Sequence, residues 1–339
     1  MKFSEERLST LLAPMRQKFV AIIGDVMLDR YIWGTVSRIS PEAPVPVVDV
    51  VRESTHLGGA SNVALNVRAL GATPVLFGVV GEDASAQDLR DIFAHTNILT
   101  DFLVVDEGRP TTVKTRIIAG SQHVVRIDYE QRTQISEAAT RRILDRLDAH
   151  ANSLDVIVLQ DYNKGLIGPM LIEHVTALAR DRGIPVLVDP KYANFFAYQG
   201  VSVFKPNRKE TEDALGIKLG SEESFVAAAR QMRDRLHCDN ILLTLGELGM
   251  LLLQHDDSIT RVPTRARKVA DVSGAGDTVV ATLASMMACG AHVVEAAHLA
   301  NVAGGLVCEE IGIVPVDREA LTEAALGIPM HADPEGEAE

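Results

Sequence analysis

Aromatic residues and cysteines are scarce in this chain. Phenylalanine, tryptophan and tyrosine make up 4% of the 339 residues, while hydrophobic residues as a whole make up 47%. Alanine, valine, leucine and isoleucine must therefore fill the interior, a composition typical of parallel α/β folds. The three cysteines, Cys238, Cys289 and Cys308, are far apart and odd in number. This pattern argues against a disulfide framework and favours a reducing, cytoplasmic compartment.

Positive charge and long apolar runs are also in short supply. The chain has 33 Lys and Arg against 46 Asp and Glu, a net charge of -13. That balance argues against a general surface for nucleic acid or an anionic membrane, although a local basic pocket for a phosphorylated metabolite is still allowed. No charge-free apolar stretch of about 18 residues occurs, so we expect no membrane span. The ten histidines show no metal-ligand spacing.

The second half of the chain alternates between segments typical of strands and of helices. Residues 156–160 and 185–189 resemble buried strands, and 169–182 between them resembles a helix. Such alternation predicts a central, mainly parallel sheet flanked by helices, with ligands at the carboxyl ends of its strands. Two segments, 31–51 and 102–129, do not fit the alternation. We predict that they form a small β-sheet that projects from the main body as a lid.

Residues 271–278, with the sequence DVSGAGDT, are the most informative stretch. Gly274 and Gly276 flank Ala275 just before a helix-forming run, so their backbone N–H groups point out of the positive end of a helix. Such a turn is an anion site, and a phosphate is its usual occupant. A carboxylate there would repel a phosphate, and Asp277 is best explained as a base beside a phosphoryl acceptor. The alternative is an ordinary helix start with a capping aspartate.

A second glycine-rich segment, residues 58–62, also opens a predicted helix. Gly58 and Gly59 let a ligand approach the backbone, and Asn62 offers both a donor and an acceptor. A tight turn into a helix is the equally good alternative. Asp25 and Asp29 follow the first buried strand, where carboxylates accept hydrogen bonds from sugar hydroxyls. Taken alone, these two carboxylates fit capping or solvated groups better.

Two further segments suggest a nucleotide site. Asn207 and Glu210 lie on one face of a first helical turn and would hold magnesium through water molecules. Taken alone, this pair fits a capping box better. Thr244, Gly246 and Gly249 end a strand, and they fit either a nucleotide lying against the backbone or a hairpin turn.

Basic residues on the predicted lid supply candidates for binding a substrate phosphate. Lys114, Arg116 and Arg126 alternate along the lid strands, and Lys191 follows a strand end. In an acidic chain, such residues near the strand ends are suited to a phosphate. Solvated charges on a β-face are the alternative, and we prefer it for Arg126.

Together these motifs resemble the ribokinase-like, or PfkB, family of sugar kinases, over about residues 15–328. Residues 58–62 and 271–277 look like the two signatures of that family, and 207–210 resembles its Asn-x-x-Glu magnesium motif. The resemblance implies ATP as the donor, magnesium, and a β lid that often forms a dimer. It also implies that Asp277 is the base and that the amides of Gly274, Ala275 and Gly276 form the anion hole. We therefore expect one kinase domain over residues 1–330 and a disordered acidic tail over 331–339.

The resemblance extends to a subgroup within that family. Residues 24–31, 38–47, 161–165 and 189–191 look like the kinase domain of the heptose enzymes of lipopolysaccharide synthesis. Those enzymes phosphorylate D-glycero-β-D-manno-heptose 7-phosphate at O1. In some of them a nucleotidyltransferase domain follows. Since this chain ends too soon for one, we expect a stand-alone kinase.

The subgroup resemblance implies a substrate site. Asp25, Asp29, Asn62 and Asp161 would bind heptose hydroxyls. The 7-phosphate would lie among four basic residues: Lys114, Arg116, Lys164 and Lys191. One departure is the pair Val272-Ser273, where the family often has Thr-Thr or Asn-Thr, and it leaves the anion-hole geometry intact. A kinase for ribose, fructose or fructose phosphate is one alternative, and a non-catalytic sugar- or nucleotide-binding protein is another.

Overall fold

The computed structural model describes residues 3–120, 122–264 and 269–327, so the predicted acidic tail lies outside the described residues. The helices are α1 Glu5–Leu12, α2 Ala60–Leu70, α3 Ala84–Thr96, α4 Glu137–His150, α5 Pro169–Arg182, α6 Arg208–Leu215, α7 Glu222–Leu236, α8 Ala275–Ala288, α9 Val293–Cys308 and α10 Arg318–Leu326. The strands are β1 Phe19–Gly24, β2 Val26–Ile39, β3 Pro46–Gly59, β4 Thr73–Val80, β5 Leu103–Val105, β6 Thr112–Ala119, β7 Gln122–Tyr129, β8 Val156–Gln160, β9 Val186–Asp189, β10 Val203–Phe204, β11 Asn240–Thr244, β12 Met250–Leu253 and β13 Ile259–Val262.

A nine-stranded sheet forms the centre of the molecule. Its strand order is β13-β12-β11-β10-β9-β8-β1-β4-β5, and only the pairings of β11 with β12 and of β12 with β13 are antiparallel. The predicted mainly parallel sheet is confirmed. Because its parallel strands run together, Gly24, Gln160 and Asp189 all lie at the same, carboxyl edge of the sheet.

Helices cover both faces of this sheet, so most residues of its central strands are apolar and buried. Along β1, Val20 and Ile22 face the core formed with α2, α8 and α9, while Ala21 and Ile23 face the core formed with α4, α5 and α7. Burying one such side chain stabilises the fold by about 1.5–3 kcal/mol. Among the described helices, none has both the length and the apolar character needed to cross a membrane.

The lid is a four-stranded sheet with the order β3-β2-β6-β7. Its two longest strands, β2 and β3, have 14 residues each and pair as an antiparallel hairpin, while β6 runs parallel to β2. The lid therefore extends further than the predicted segment 31–51, down to the end of β1. At the same end of the lid, where Gly59 pairs with Val26, β3 passes directly into α2, and Gly59 makes this junction with a φ of 56°. No loop separates the lid from that helix.

One predicted lid strand was wrong. We expected 102–105 to belong to the lid, but β5 pairs with β4 at the edge of the large sheet. Phe102, just before β5, lies in the core with its ring 5.0 Å from that of Phe77. Three apolar residues carry too little periodicity to show which sheet they join. The burial of Phe102 places β5 in the large sheet, and this burial depends on tertiary packing.

Candidate active site

Asp277 lies in the first turn of α8 and is almost completely buried. One carboxylate oxygen, Oδ1, accepts hydrogen bonds from Gln160 Nε2 at 3.0 Å and from the Tyr162 hydroxyl at 2.7 Å. The other, Oδ2, accepts one from Asn62 Nδ2 at 2.9 Å. Three donors from two different segments thus fix the orientation of this carboxylate.

The protonation of Asp277 reflects this setting. Burial, with a smaller contribution from the nearby Asp189 carboxylate, raises the pKa of Asp277 to about 7. The hydrogen bonds from Asn62 and Tyr162 act in the opposite direction, because they favour the charged form. A carboxyl group with a pKa close to neutral accepts and releases a proton readily near pH 7, as a general base requires.

Sequence reasoning missed most of the groups around Asp277. Gln160 Nε2 also donates to Asp189 Oδ2 at 3.1 Å, and Asp189 forms a buried ion pair with Lys205 at 3.0 Å. Gln160 and Asp189 end buried strands, and Lys205 directly follows β10. Polar residues at the carboxyl ends of parallel strands therefore indicated the site, and the sequence analysis used this signal for only some of these residues.

The start of α8 leaves backbone donors available. Gly274 has a φ of 80°, and a Cβ at this position would lie 2.8 Å from Asn62 Nδ2, so both conformation and space favour glycine. A Cβ on Gly276 would meet nothing within 4 Å, so this residue faces open space. Within the described ranges the Gly274 and Gly276 amides have no hydrogen-bond partner, whereas the Ala275 amide donates to the Val272 carbonyl at 3.3 Å. Of the three amides predicted to bind an anion, two thus have no partner in the part of the chain that the structure describes.

Asn66 holds this arrangement together. Its Nδ2 donates to the Asn62 carbonyl at 2.9 Å, and its Oδ1 accepts from the Thr278 hydroxyl at 3.1 Å and from the Val316 amide at 2.9 Å. Helices α2 and α8 are therefore joined by buried hydrogen bonds. This contact fixes Asn62 relative to Asp277.

Two of the carboxylates predicted to bind sugar hydroxyls are engaged by the protein. Asp25 accepts hydrogen bonds from the backbone amides of Tyr162, Lys164 and Leu166, and burial together with Asp161 raises the pKa of Asp25 to about 6. Asp161 accepts from the Asn163 amide at 2.8 Å, the Tyr198 hydroxyl at 2.7 Å and Asn194 Nδ2 at 3.2 Å. Both carboxylates shape the loop after β8, and their contact with a sugar stays a prediction.

Three of the predicted phosphate ligands lie on or beside the lid and are paired with acids. Arg116 forms an ion pair with Asp29, while Lys114 and Lys164 approach Glu130 at 3.4 and 2.6 Å. Burial alone would raise the pKa of Glu130, but hydrogen bonds from Lys164 and Arg132, with the charge of Lys114, hold it at about 2. A substrate phosphate would therefore have to exchange places with these carboxylates. Arg126, beside Arg116 on the neighbouring strand, is exposed and pairs with Asp128.

Asn207 and Glu210 form the capping box at the start of α6. Asn207 Oδ1 accepts from the Glu210 amide at 2.8 Å, and Glu210 Oε2 accepts from the Asn207 amide at 2.8 Å. Lys191 pairs with the other Glu210 oxygen. In the described part of the chain, no group of three His, Cys, Asp or Glu side chains is arranged to hold a metal directly. One carboxylate and one amide fit magnesium held through water and substrate phosphates, not a cage made by the protein alone.

The segment around Thr244 is a hairpin turn. Strand β11 ends at Thr244, and β12 returns antiparallel after a short 3₁₀ turn over Gly246–Leu248. Gly246 and Gly249 have φ values of 63° and 80°, and a Cβ on Gly249 would lie 2.1 Å from the Val262 carbonyl oxygen. Local backbone geometry explains both glycines. Their proximity to a nucleotide stays a prediction.

A comparison with protein families explains this arrangement of residues. Residues 17–318 match the model of the pfkB family carbohydrate kinases. The chain belongs to the pfkB family. The resemblance noted from the sequence is thereby confirmed, and this pfkB protein is a carbohydrate kinase.

Curated relatives are similar over most of this pfkB kinase. It is 45% identical to the "Bifunctional protein HldE" of Pelobacter propionicus over 313 residues. The matched region is 92% of this chain and 64% of that protein. A protein of the same name from Caulobacter sp. is 44% identical over 316 residues, or 93% of the chain and 64% of that protein. The chain thus spans less than two thirds of the length of these relatives.

Solved structures show the same fold. Phosphofructokinase-2 from Escherichia coli, in complex with substrates and products, superimposes with a TM-score of 0.75 over 92% of this chain and 99% of that chain, at 17% identity. Ribokinase from Arabidopsis thaliana, complexed with ribose and ATP, superimposes with a TM-score of 0.72 over 91% of this chain and 98% of that chain, at 18% identity. The pfkB kinase therefore has the ribokinase-like α/β fold that the sequence predicted.

Proposed function

We propose that the chain transfers the γ-phosphoryl group of ATP to O1 of D-glycero-β-D-manno-heptose 7-phosphate, which gives the 1,7-bisphosphate for lipopolysaccharide core synthesis. The observation that carries the chemistry is the buried Asp277 beside the amides of Gly274 and Gly276, which have no hydrogen-bond partner among the described residues. The relatives named HldE, together with the heptose-kinase motifs in the sequence, support the substrate.

In this proposal Asp277 accepts the proton of the O1 hydroxyl as that oxygen attacks the γ-phosphorus. The bond from the γ-phosphorus to the β–γ bridging oxygen breaks, and ADP leaves. The amides of Gly274 and Gly276 donate hydrogen bonds to the transferring phosphoryl oxygens. Loss of one such preorganised donor typically costs about 3–4 kcal/mol in transition-state stabilisation. The reaction thus needs a base and donors in one place, and the first turn of α8 supplies both.

Asn207 and Glu210 are the residues that would hold magnesium, through water, and the ion would offset the charge of the triphosphate. Lys191 lies between this pair and the base: its ammonium pairs with Glu210, and the ammonium lies 5.4 Å from the centre of the Tyr162 ring. Lys191 is therefore suited to follow a phosphate as it moves from donor to acceptor. Its release from Glu210 is the rearrangement this role requires.

The lid supplies the substrate phosphate site in this proposal. Arg116 and Lys114 are two residues apart on β6 and face the same side of the lid. Both are anchored by carboxylates, Asp29 and Glu130. A dianionic phosphate competes with these acids for the same cations, so binding a phosphorylated sugar would free Asp29 to accept from a hydroxyl.

We further propose that the chain forms a homodimer through the outer lid face. This face comprises Ile32, Ile117, Val125, Ile127 and Tyr129, which are neighbours in register across β2, β6 and β7. Val125, Ile127 and Tyr129 are 46%, 53% and 64% exposed. Apolar side chains at this exposure on a sheet face favour burial against a second copy.

A substrate panel tests the proposed function. The purified chain is incubated with ATP, magnesium and either heptose 7-phosphate, fructose 6-phosphate or ribose, and ADP release is followed while ³¹P NMR identifies the product. We expect turnover to be fastest with heptose 7-phosphate and a bisphosphate to accumulate. Faster turnover of another sugar would reassign the substrate, and the lack of any turnover would favour a binding protein.

A further inference from the structure

A cavity of about 590 Å³ opens at the end of the large sheet opposite the candidate active site. Arg16, just before β1, and Gly71, just before β4, belong to its wall. They therefore lie at the amino ends of the strands, whereas Asp277 lies at the carboxyl ends. The six residues of β1 separate the two places by about 20 Å.

Three of the five residues that line this cavity are arginines: Arg16, Arg68 and Arg318. None of them forms an ion pair with a carboxylate within the ranges that the structure describes. Arg318 is held in place, because its Nη2 donates to the Leu12 carbonyl at 3.1 Å. Its Nη1 occupies the space above Gly71, where a Cβ would lie 2.8 Å away. In a chain with a net charge of -13, three guanidiniums around one cavity, without an ion-pair partner among the described residues, are suited to an anion.

A second cavity, of about 680 Å³, adjoins the first and shares Arg16 and Arg318 with it. Its other polar residues are Ser9, Glu319, Thr322 and Glu323. Carboxylates and hydroxyls accept hydrogen bonds from the hydroxyls of a polyol. The two cavities together therefore place a cationic half beside a half rich in acceptors.

We propose that these adjoining cavities form a binding site for a phosphorylated polyol or sugar. The phosphate lies among Arg16, Arg68 and Arg318, since the guanidinium fork matches phosphate oxygens in two-point contacts. The hydroxyls of the ligand donate to Glu319 and Glu323. The ligand is bound and not converted. The site does not depend on the reaction assigned to Asp277, so either assignment stands if the other fails.

Calorimetric titration with glycerol 3-phosphate and with inorganic phosphate, at constant ionic strength, tests this site. The Arg16→Gln/Arg68→Gln variant removes two cations and keeps the anchored Arg318. The Arg180→Gln/Arg230→Gln variant makes the same charge change at exposed arginines outside both cavities. We expect the first variant to bind glycerol 3-phosphate about tenfold or more weakly than the unaltered chain at one of its sites, and the control to bind it equally well. Kinase activity should be unchanged in both.

The acceptor half is tested separately. Glycerol 3-phosphate should bind more tightly than inorganic phosphate, and Glu319→Gln/Glu323→Gln should remove that advantage. Equal isotherms for the arginine variant and the unaltered chain would overturn the site. An equal loss in both arginine variants would show a general charge effect instead, which also overturns it. An unchanged melting temperature of each variant would show that a loss of binding is not caused by a loss of folding.

Discussion

The hydroxyl of Tyr162 donates a 2.7 Å hydrogen bond to the carboxylate of Asp277. A donor to the charged form of a carboxyl group lowers its pKa, and this bond acts against burial, which raises the pKa of Asp277 to about 7. Tyr162 thus decides in part how much of the proposed base is ionised at neutral pH.

Tyr162→Phe should shift the pH profile of turnover. Loss of the hydroxyl raises the pKa of Asp277, so the acid limb of kcat/KM should move up by about one pH unit, which corresponds to a charged hydrogen bond of about 1.5 kcal/mol. Tyr198→Phe is the matched control, since it removes the same kind of bond, also 2.7 Å, from Asp161. The acid limb of the control should stay in place. If the acid limb does not move in Tyr162→Phe, Tyr162 does not control the pKa of the base.

Asp277→Asn should lower turnover by about 10²-fold or more, because the amide cannot accept the proton. Binding of ATP should be largely retained and is measured by calorimetry. The amide group also introduces a donor where Asn62, Gln160 and Tyr162 already donate, so some stability should be lost. Retention of more than half the original rate, in folded protein, would remove Asp277 as the base.

The same carboxyl group should make stability depend on pH. The pKa of Asp277 is about 7 in the folded chain and 3.8 in its ordinary state. The stability it contributes is therefore complete below pH 4 and is lost as the pH rises through 7. Urea unfolding at pH 5 and pH 8 should show a larger fall in unfolding free energy for the unaltered chain than for Asp277→Asn. Equal falls would mean that the carboxyl group titrates normally.

Arg116→Ala should weaken binding of heptose 7-phosphate by about 1.5–3 kcal/mol and leave ATP binding little changed. The variant also leaves Asp29 without its ion-pair partner, so the double variant with Asp29→Asn separates the two effects. Arg126→Ala, on the adjacent strand, is the control and should bind normally. Unaltered affinity of the Arg116 variant would place the phosphate elsewhere, at Lys164 or Lys191.

Ile127→Glu should convert the proposed dimer to a monomer, because it places a charge in the outer lid face. Sedimentation velocity at micromolar concentration measures this. Ile259→Glu is the control, since Ile259 is 39% exposed and lies on β13, at the opposite edge of the large sheet from β5. A monomer in the unaltered chain would already exclude the proposed assembly.

The sequence predicted most of the large sheet because long alternating segments carry strong signals. Strand β8 and helix α5 lie where the pattern placed them. Helix α3 was missed, although Gly81 follows the preceding strand and the side chain of Asp83 caps the helix by accepting from the Ala86 amide. Strand β5 was assigned to the wrong sheet, because three apolar residues fit either one.

For the site, sequence signals located the residues but not their partners. Asp277 and Gly274 follow from local backbone chemistry, which a short segment contains in full. The hydrogen bonds of Gln160 and Tyr162 to Asp277 join residues more than 100 positions apart. Likewise, the sequence could not show that Asp25 is engaged by the loop after β8, because this contact depends on two strands lying side by side.

The continuity of β3 with α2 has a mechanical consequence. The lid and the helix that carries Asn62 form one unbroken length of chain, with Gly59 at the junction between them. A movement of the lid would therefore act directly on the first turn of α2, which carries Asn62. Asn62 donates to Asp277 and Asn66 ties α2 to α8, so we expect the hydrogen bonds that hold the base to resist such a movement.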